Sequence, residues 1–375
     1  MKRLLCFVDG GMNAGGAETF LIKIDRELNK DSYQIDFCVG RQTKCFYDDE
    51  IVDMGGRLFY APSVSKNLLR HLVSVFKIVK ANRFDAALCV SQYSIAAVSL
   101  LACKIGGIRR LVMRSTNASI TASTPKKIAN RLISFLPRII PNVKIAPSTA
   151  AAEFLFGRGC VKSGKVFILQ NGLPLERYEF SKQVREQTRN ELQINDSFVI
   201  GHVGRFQEQK NHHFLIDVFN EVRKEKPDAI LLLVGTGTKE NEIVEKVRAL
   251  GIDNKVKFLG MRSDVERLLM AMDCFVFPSL YEGLPNSVVE AQASGLPCII
   301  SDRITREVGL SDIVTFLPLT VPASAWSDAV LYTYTPVDRR AYAAYLAGKR
   351  YDIQSVTEDF VSYIWEDSNA GSISE

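Results

Sequence analysis

A chain of 375 residues exceeds one ordinary α/β unit and suits two domains. Its 47% hydrophobic and 24% charged content excludes a disordered polymer, and no apolar run approaches the roughly 18 residues of a membrane span. The net charge of +5 hides an asymmetry, because residues 1–170 hold 25 Lys/Arg against 12 Asp/Glu while residues 171–375 hold 22 against 30. From Arg57 to Lys144 there are 15 basic residues and one acid, Asp85, which points the N-terminal half toward an anionic partner. In chain order, the opening MKRLLCFVDGG has too short an apolar run for a signal peptide and reads as a first strand. YQIDFCVG, GRLFYA, FDAALCV, RRLVMR, VKIAPS and KVFILQN follow as strands. Between them AETFLIKIDRELN, KNLLRHLVSVFKIVKANR, YSIAAVSLLACKIG and PKKIANRLISFLPRII read as helices. NGLPLERYEFSKQVREQ is polar, a linker plus the first helix of a second series. That series has strands SFVIGHVGR, AILLLVG, KVKFLG, CFVFPS and PCIISD, with helices HHFLIDVFNEVRKEK, KENEIVEKVRALG, DVERLLMAM and NSVVEAQAS.

Strand–helix alternation predicts parallel sheets covered on both faces. The expected fold is therefore α/β, two Rossmann-like doubly wound domains facing each other across a cleft. The expected boundaries are 1–175 and 176–352. A C-terminal helix over 353–367 can cross back to the first domain, and the tail 368–375 is expected to be disordered. The eight cysteines form no C-x-x-C pair, which suggests buried free thiols in a reducing cytoplasm.

The stretch Pro278–Pro297 carries Glu282 and Glu290 eight positions apart. Its pattern puts Glu282 in a loop and Glu290 about one turn into a helix, with Pro285 tolerated in the first turn. Loop amides and a helix N-terminus suit a phosphate, and nearby carboxylates accept hydroxyl hydrogen bonds. Such a layout suits a sugar nucleotide. Gly204-Arg205-Phe206-Gln207-Glu208-Gln209-Lys210-Asn211 follows a strand, so Arg205 and Lys210 can both reach an anion that leaves with charge. The loop Gly10–Glu18, with Gly15 and Gly16, opens the first helix but does not match G-x-G-x-x-G. Gly235-Thr236-Gly237 reads as a tight turn near the ligand, and Gly260-Met261-Arg262 as a border for a nucleobase. The four histidines lack metal-ligand spacing apart from the adjacent His212–His213 pair, and no D-x-D pair is present to hold a metal. The basic, apolar segment PKKIANRLISFLPRIIPNVK, with Lys126, Lys127, Arg131 and Arg138, is expected to dock on an anionic membrane with Phe135 and Leu136 dipping in, and KNLLRHLVSVFKIVKANR has the same character. The alternative is that Leu132 and Phe135 pack on the sheet.

Together these motifs resemble the retaining glycosyltransferases of family 4, of GT-B architecture, over nearly the whole chain. The E-x7-E element is Glu282–Glu290, G-R-x-x-x-x-K-N is Gly204, Arg205, Lys210 and Asn211, N-G-[IL] is Asn171-Gly172-Leu173, and the GGAE loop is Gly15–Glu18. The resemblance implies that Glu290 binds donor ribose, that Glu282 touches the donor sugar, and that Arg205 and Lys210 hold the diphosphate. It also implies that Gly15, Gly16 and the amides around Gly283 and Leu284 face phosphate or sugar; the loop readings add Gly204 and Gly235 as donor-binding positions. Relatives often carry histidine after the fifth strand; here Arg114-Ser115-Thr116-Asn117 stands there, so Arg114 or Asn117 would substitute on the acceptor side. Implied too are no cofactor or metal beyond the nucleotide-sugar donor and a lipid-linked glycan acceptor in surface or capsular polysaccharide synthesis; the cysteine and charge readings add a cytoplasmic place that can be peripheral on the inner face of the membrane, and no nucleic acid partner is expected. UDP is the carrier favoured by the resemblance. A sugar-nucleotide epimerase and a non-catalytic sugar-nucleotide-binding module are the competing readings; the two glutamates with the Arg/Lys pair argue against the module.

Overall fold

A computed structural model of the chain describes residues 1–375 except 9, 14, 118–127, 129, 333–337 and 367–375. Lys126, Lys127 and the 368–375 tail therefore lie outside the described residues. The chain forms two compact units, residues 1–173 with 350–375, and residues 174–349.

Unit 1 is built on a parallel sheet. Its strands are β1 (Lys2–Val8), β2 (Tyr33–Val39), β3 (Leu58–Tyr60), β4 (Ala86–Val90), β5 (Arg110–Arg114), β6 (Val143–Ala146) and β7 (Phe167–Ile168), in the order β3-β2-β1-β4-β5-β6-β7. Successive residues of β1 serve opposite faces, as the strand period of two requires. Leu4 and Cys6 join a core with Phe20, Ile24, Val356 and Phe360, whereas Leu5 and Phe7 join one with Val75, Leu100 and Leu155. Burial on both faces explains why these strands read as continuous apolar runs. The C-terminal helix Ile353–Trp365 packs on the first face, where Phe360 meets Phe20 edge to face at 6.4 Å. Leu173 donates its N–H to Tyr351 O at 2.9 Å and accepts from Ile353 N at 2.9 Å. Both crossings between the units are thus tied to each other within unit 1.

Unit 2 repeats the plan with β8 (Val199–Val203), β9 (Ile230–Val234), β10 (Val256–Phe258), β11 (Cys274–Phe277), β12 (Cys298–Ser301) and β13 (Val314–Leu317), in the order β10-β9-β8-β11-β12-β13. Every pairing in the two sheets is parallel. The order reverses between β1 and β4 in unit 1 and between β8 and β11 in unit 2. In such sheets ligands bind beyond the strand C-termini at that reversal. Five strands and α-helices outran the sequence reading: β13, and the helices Asp48–Asp53, Thr149–Phe156, Ala323–Tyr332 and Ala341–Gly348.

The basic stretch of unit 1 corrects one expectation. Leu136 turns inward against the core rather than outward. Leu132, Phe135 and Ile139 are exposed, so Leu132 and Phe135 do not pack on the sheet either.

Candidate active site

The loops after β8 and β11 meet at the reversal point of unit 2. Leu280 N donates to Gln209 O at 2.8 Å, Gln209 Nε2 to Tyr281 O at 2.8 Å, and Asn211 Nδ2 to Pro278 O at 3.2 Å. Asn211 adopts φ 54°, a left-handed conformation that asparagine tolerates better than most residues. It turns the chain directly into the helix His212–Glu225. Across this seam Lys210 Nζ donates to Glu282 Oε1 at 2.7 Å, with side chains 16% and 10% exposed. The ammonium also lies 4.5 Å from the centre of the Phe277 ring. Two residues 72 apart in sequence thus form one charged pair, because β8 and β11 are neighbours in the sheet.

The turns after β9 and β10 stack behind this seam. Phe206 N donates to Thr236 O at 3.1 Å, and Gly235 N to Gly260 O at 2.8 Å. Gly235 has φ 131°, and a Cβ there would overlap the Gly204 carbonyl oxygen, so backbone packs on backbone as only glycine permits. Gly204 in turn leaves room for Lys210, whose Cδ and Cε would stand 3.2 Å from an added Cβ. Arg205 projects from the same loop, exposed. Arg262, on the turn after β10, makes a bidentate pair with Asp264, both contacts at 2.7 Å.

Pro285 is the cap of the helix Asn286–Ala293 rather than its first residue, and Glu290 lies in the second turn. Gly283 and Leu284 are buried. Tyr178 lies close to Glu290; burial, and then the Glu290 charge, push that phenol up. Tyr178 is itself buried. Nothing in LERYEF marks it beyond an aromatic hydroxyl in an otherwise polar linker, which is why sequence reasoning passed over it.

Beneath Lys210 lie two buried histidines, also missed. His202 Nδ1 donates to Val276 O at 2.9 Å, leaving Nε2 without a partner. His212 stacks on Phe206 at 4.3 Å and meets His202 at 4.7 Å. Burial lowers both, His212 to about 4, with Lys210 adding in the same sense. Both are therefore neutral at pH 7. Among the described residues no three His, Cys, Asp or Glu side chains gather as a metal site.

In unit 1 the glycine loop follows β1 at the reversal point. Gly15 caps the helix Gly16–Glu27, and the Glu18 carboxylate folds over it. Arg114 corrects the sequence reading. It is 2% exposed, its guanidinium lies 3.9 Å from the Phe20 ring, and it donates to Asn171 Oδ1 at 2.5 Å. Burial brings it down to about 9, so it keeps its charge at neutral pH. It anchors the Asn171–Leu173 segment inside unit 1 and is not presented to an acceptor. Asn117 is half-buried at the edge of the described residues.

Two parallel α/β units, each with its loops gathered beyond one strand reversal, define the GT-B class of glycosyltransferases. HepE from Anabaena in complex with UDP-glucose shares this fold at a TM-score of 0.76, with 21% identity over 96% of this chain and 99% of that one. The profile of the glycosyl transferases group 1 family matches residues 197–334, the heart of unit 2. A relative from Bacillus subtilis (strain 168), named as glycosyltransferase EpsF, is 38% identical over 336 residues, 88% of this chain and 87% of its own. From Escherichia coli, UDP-Gal:alpha-D-GlcNAc-diphosphoundecaprenol alpha-1,3-galactosyltransferase is 25% identical over 270 residues, 68% of each chain. The chain belongs to the group 1 glycosyltransferases.

Proposed function

We propose that this glycosyltransferase moves a hexosyl group from a UDP-sugar, with retention, onto a lipid-linked glycan in surface or capsular polysaccharide synthesis. The observation that carries the reading is the Lys210–Glu282 seam at the strand reversal of unit 2, with Arg205 exposed on the same loop. The UDP-glucose complex of HepE and the diphosphoundecaprenol acceptor in the E. coli relative's name support the donor and acceptor classes.

Glu290, in the second turn of its helix, binds the ribose diol. Glu282 takes the sugar hydroxyls, while Lys210 and Arg205 meet the diphosphate. As the bond from C1 to the phosphate oxygen breaks, negative charge grows on the leaving diphosphate, and two pre-placed cations stabilise it more in the transition state than before. The acceptor hydroxyl attacks C1 from the same face and passes its proton to the leaving phosphate. The cations supply the charge compensation without a metal.

Unit 1 meets the membrane that holds the acceptor. Leu69, Val73 and Phe76 are exposed along the helix Leu68–Ala81, spaced as one stripe, with Arg70, Lys77 and Lys80 on the same helix. Exposed Leu132, Phe135 and Ile139, with Arg131 and Arg138, repeat that mix. Among the described residues no helix is long and apolar enough to cross a membrane, so the contact is with a surface.

A thermal-shift screen of UDP-, GDP- and ADP-sugars tests the donor class, since a ligand of the folded state raises its stability by mass action. Glu290→Ala should then cost about 1.5–3 kcal/mol of UDP-sugar binding by calorimetry, roughly 10- to 100-fold or somewhat more in affinity. Activity should survive a chelator. Unchanged affinity would sink the ribose role, and loss in EDTA restored by magnesium would overturn the metal-free mechanism.

A further inference from the structure

The pair that marks the site is also closed on itself. The carboxylate assigned to the sugar sits on the ammonium assigned to the diphosphate, Nζ to Oε1 at 2.7 Å. We propose that Glu282 is an internal competitor for the nucleoside diphosphate, holding Lys210 until a sugar-bearing nucleotide arrives and so setting preference for UDP-sugar over bare UDP. This rests on the UDP-sugar reading above.

Three features make the pair a switchable contact rather than a structural brace. First, the two loops are already pinned by the hydrogen bonds of Gln209, Leu280 and Asn211, none of which uses Lys210 or Glu282 side-chain atoms. The pair can open by side-chain rotation while the backbone stays. Second, Lys210 has little choice of position. Its stem lies against Gly204 and its ammonium over Phe277, and the two histidines below are held neutral by burial. Third, both side chains are mostly out of water, where a carboxylate and a phosphate oxygen compete strongly for one cation and repel each other when adjacent.

The consequence depends on what the diphosphate carries. Bare UDP must displace Glu282 from Lys210 and leaves a carboxylate beside the phosphates without a hydrogen-bond donor. A UDP-sugar displaces it too, but its hydroxyls donate to the freed carboxylate. Glu282 therefore penalises the product more than the substrate, which favours product departure. No bond is made or broken in this exchange.

The test is isothermal titration of the full chain with UDP and with UDP-glucose. Glu282→Gln keeps the shape and removes the charge; it should bind UDP about tenfold tighter than wild type and lose preference for UDP-glucose. In a Lys210→Met background the same change should give no gain for UDP, because the contested cation is gone. A gain that persists there would mean a general field effect and overturn the competition. Glu282→Asp, one methylene shorter, keeps the charge but not the reach, and should give part of the gain. A Glu282→Gln protein that melts like wild type yet binds UDP equally or more weakly would overturn the proposal, showing that Lys210 serves both anions at once. If wild type bound neither ligand, the UDP-sugar reading would fall and this inference with it. Wild-type binding with an unmoved variant would remove the inference alone.

Discussion

His212 shows how one side chain can make a glycosyltransferase domain sensitive to acid. It is 3% exposed, between Phe206 and His202, and burial beside Lys210 lowers it to about 4. An unfolded histidine takes up its proton near pH 6.5. The stability that the neutral ring contributes is therefore complete above that pH and is lost as the pH falls toward 4, by an amount on the order of 3 kcal/mol. His202 acts in the same direction. Melting of unit 2 followed from pH 7 to 4.5 should show the decline, and His212→Phe, which fills the same aromatic slot, should flatten much of it. An identical slope in the variant would assign acid sensitivity elsewhere. The sequence gives no hint of this pair, since the two rings meet only after a strand and a loop bring residues ten apart onto one face of the sheet.

At the scale of elements, the C-terminal helix Ile353–Trp365 is the longest reach in the fold, closing unit 1 from the far end of the chain. Phe360→Ala removes a fully buried ring from its contact with Phe20 and should cost about 3–5 kcal/mol. Scanning calorimetry should place that loss in the transition of unit 1 and leave the transition of unit 2 untouched. A lowered unit-2 transition instead would contradict the helix's assignment. Most strands were legible beforehand because both faces of a parallel sheet are buried, which writes apolar runs such as AALCV and ILLLV into the sequence. β13 was not, because all four of its residues are only half-buried at the sheet edge. The helices Thr149–Phe156 and Ala341–Gly348 are rich in alanine with few polar positions, so no amphipathic period announced them. The site followed the same rule. Motif residues on single loops were readable, while the Lys210–Glu282 contact, the nearness of buried Tyr178 to Glu290 and the inward turn of Arg114 depend on which strands lie side by side.

At the scale of the whole molecule, the charge division becomes a prediction about attachment. Each Lys or Arg near an anionic surface contributes about 1 kcal/mol, so four or five suffice for reversible binding. Co-sedimentation with liposomes should rise with anionic lipid and fall with salt. It should drop when Lys126, Lys127, Arg131 and Arg138 are changed together to serine, or when Leu132 and Phe135 become serine. Equal recovery on neutral and anionic vesicles would leave a soluble acceptor as the better reading. The cysteines carry a different consequence. Cys6, Cys38, Cys89, Cys103 and Cys160 are buried in unit 1, and Cys274 and Cys298 in unit 2, all as free thiols. A thiol shut away from solvent reacts with an alkylating reagent only when its surroundings open. The chain therefore carries a built-in clock in each half: the labelling rate of Cys274 and Cys298 times the opening of unit 2, that of the other five times the opening of unit 1, and, on the proposed function, a UDP-sugar added to the solution should slow the first clock alone.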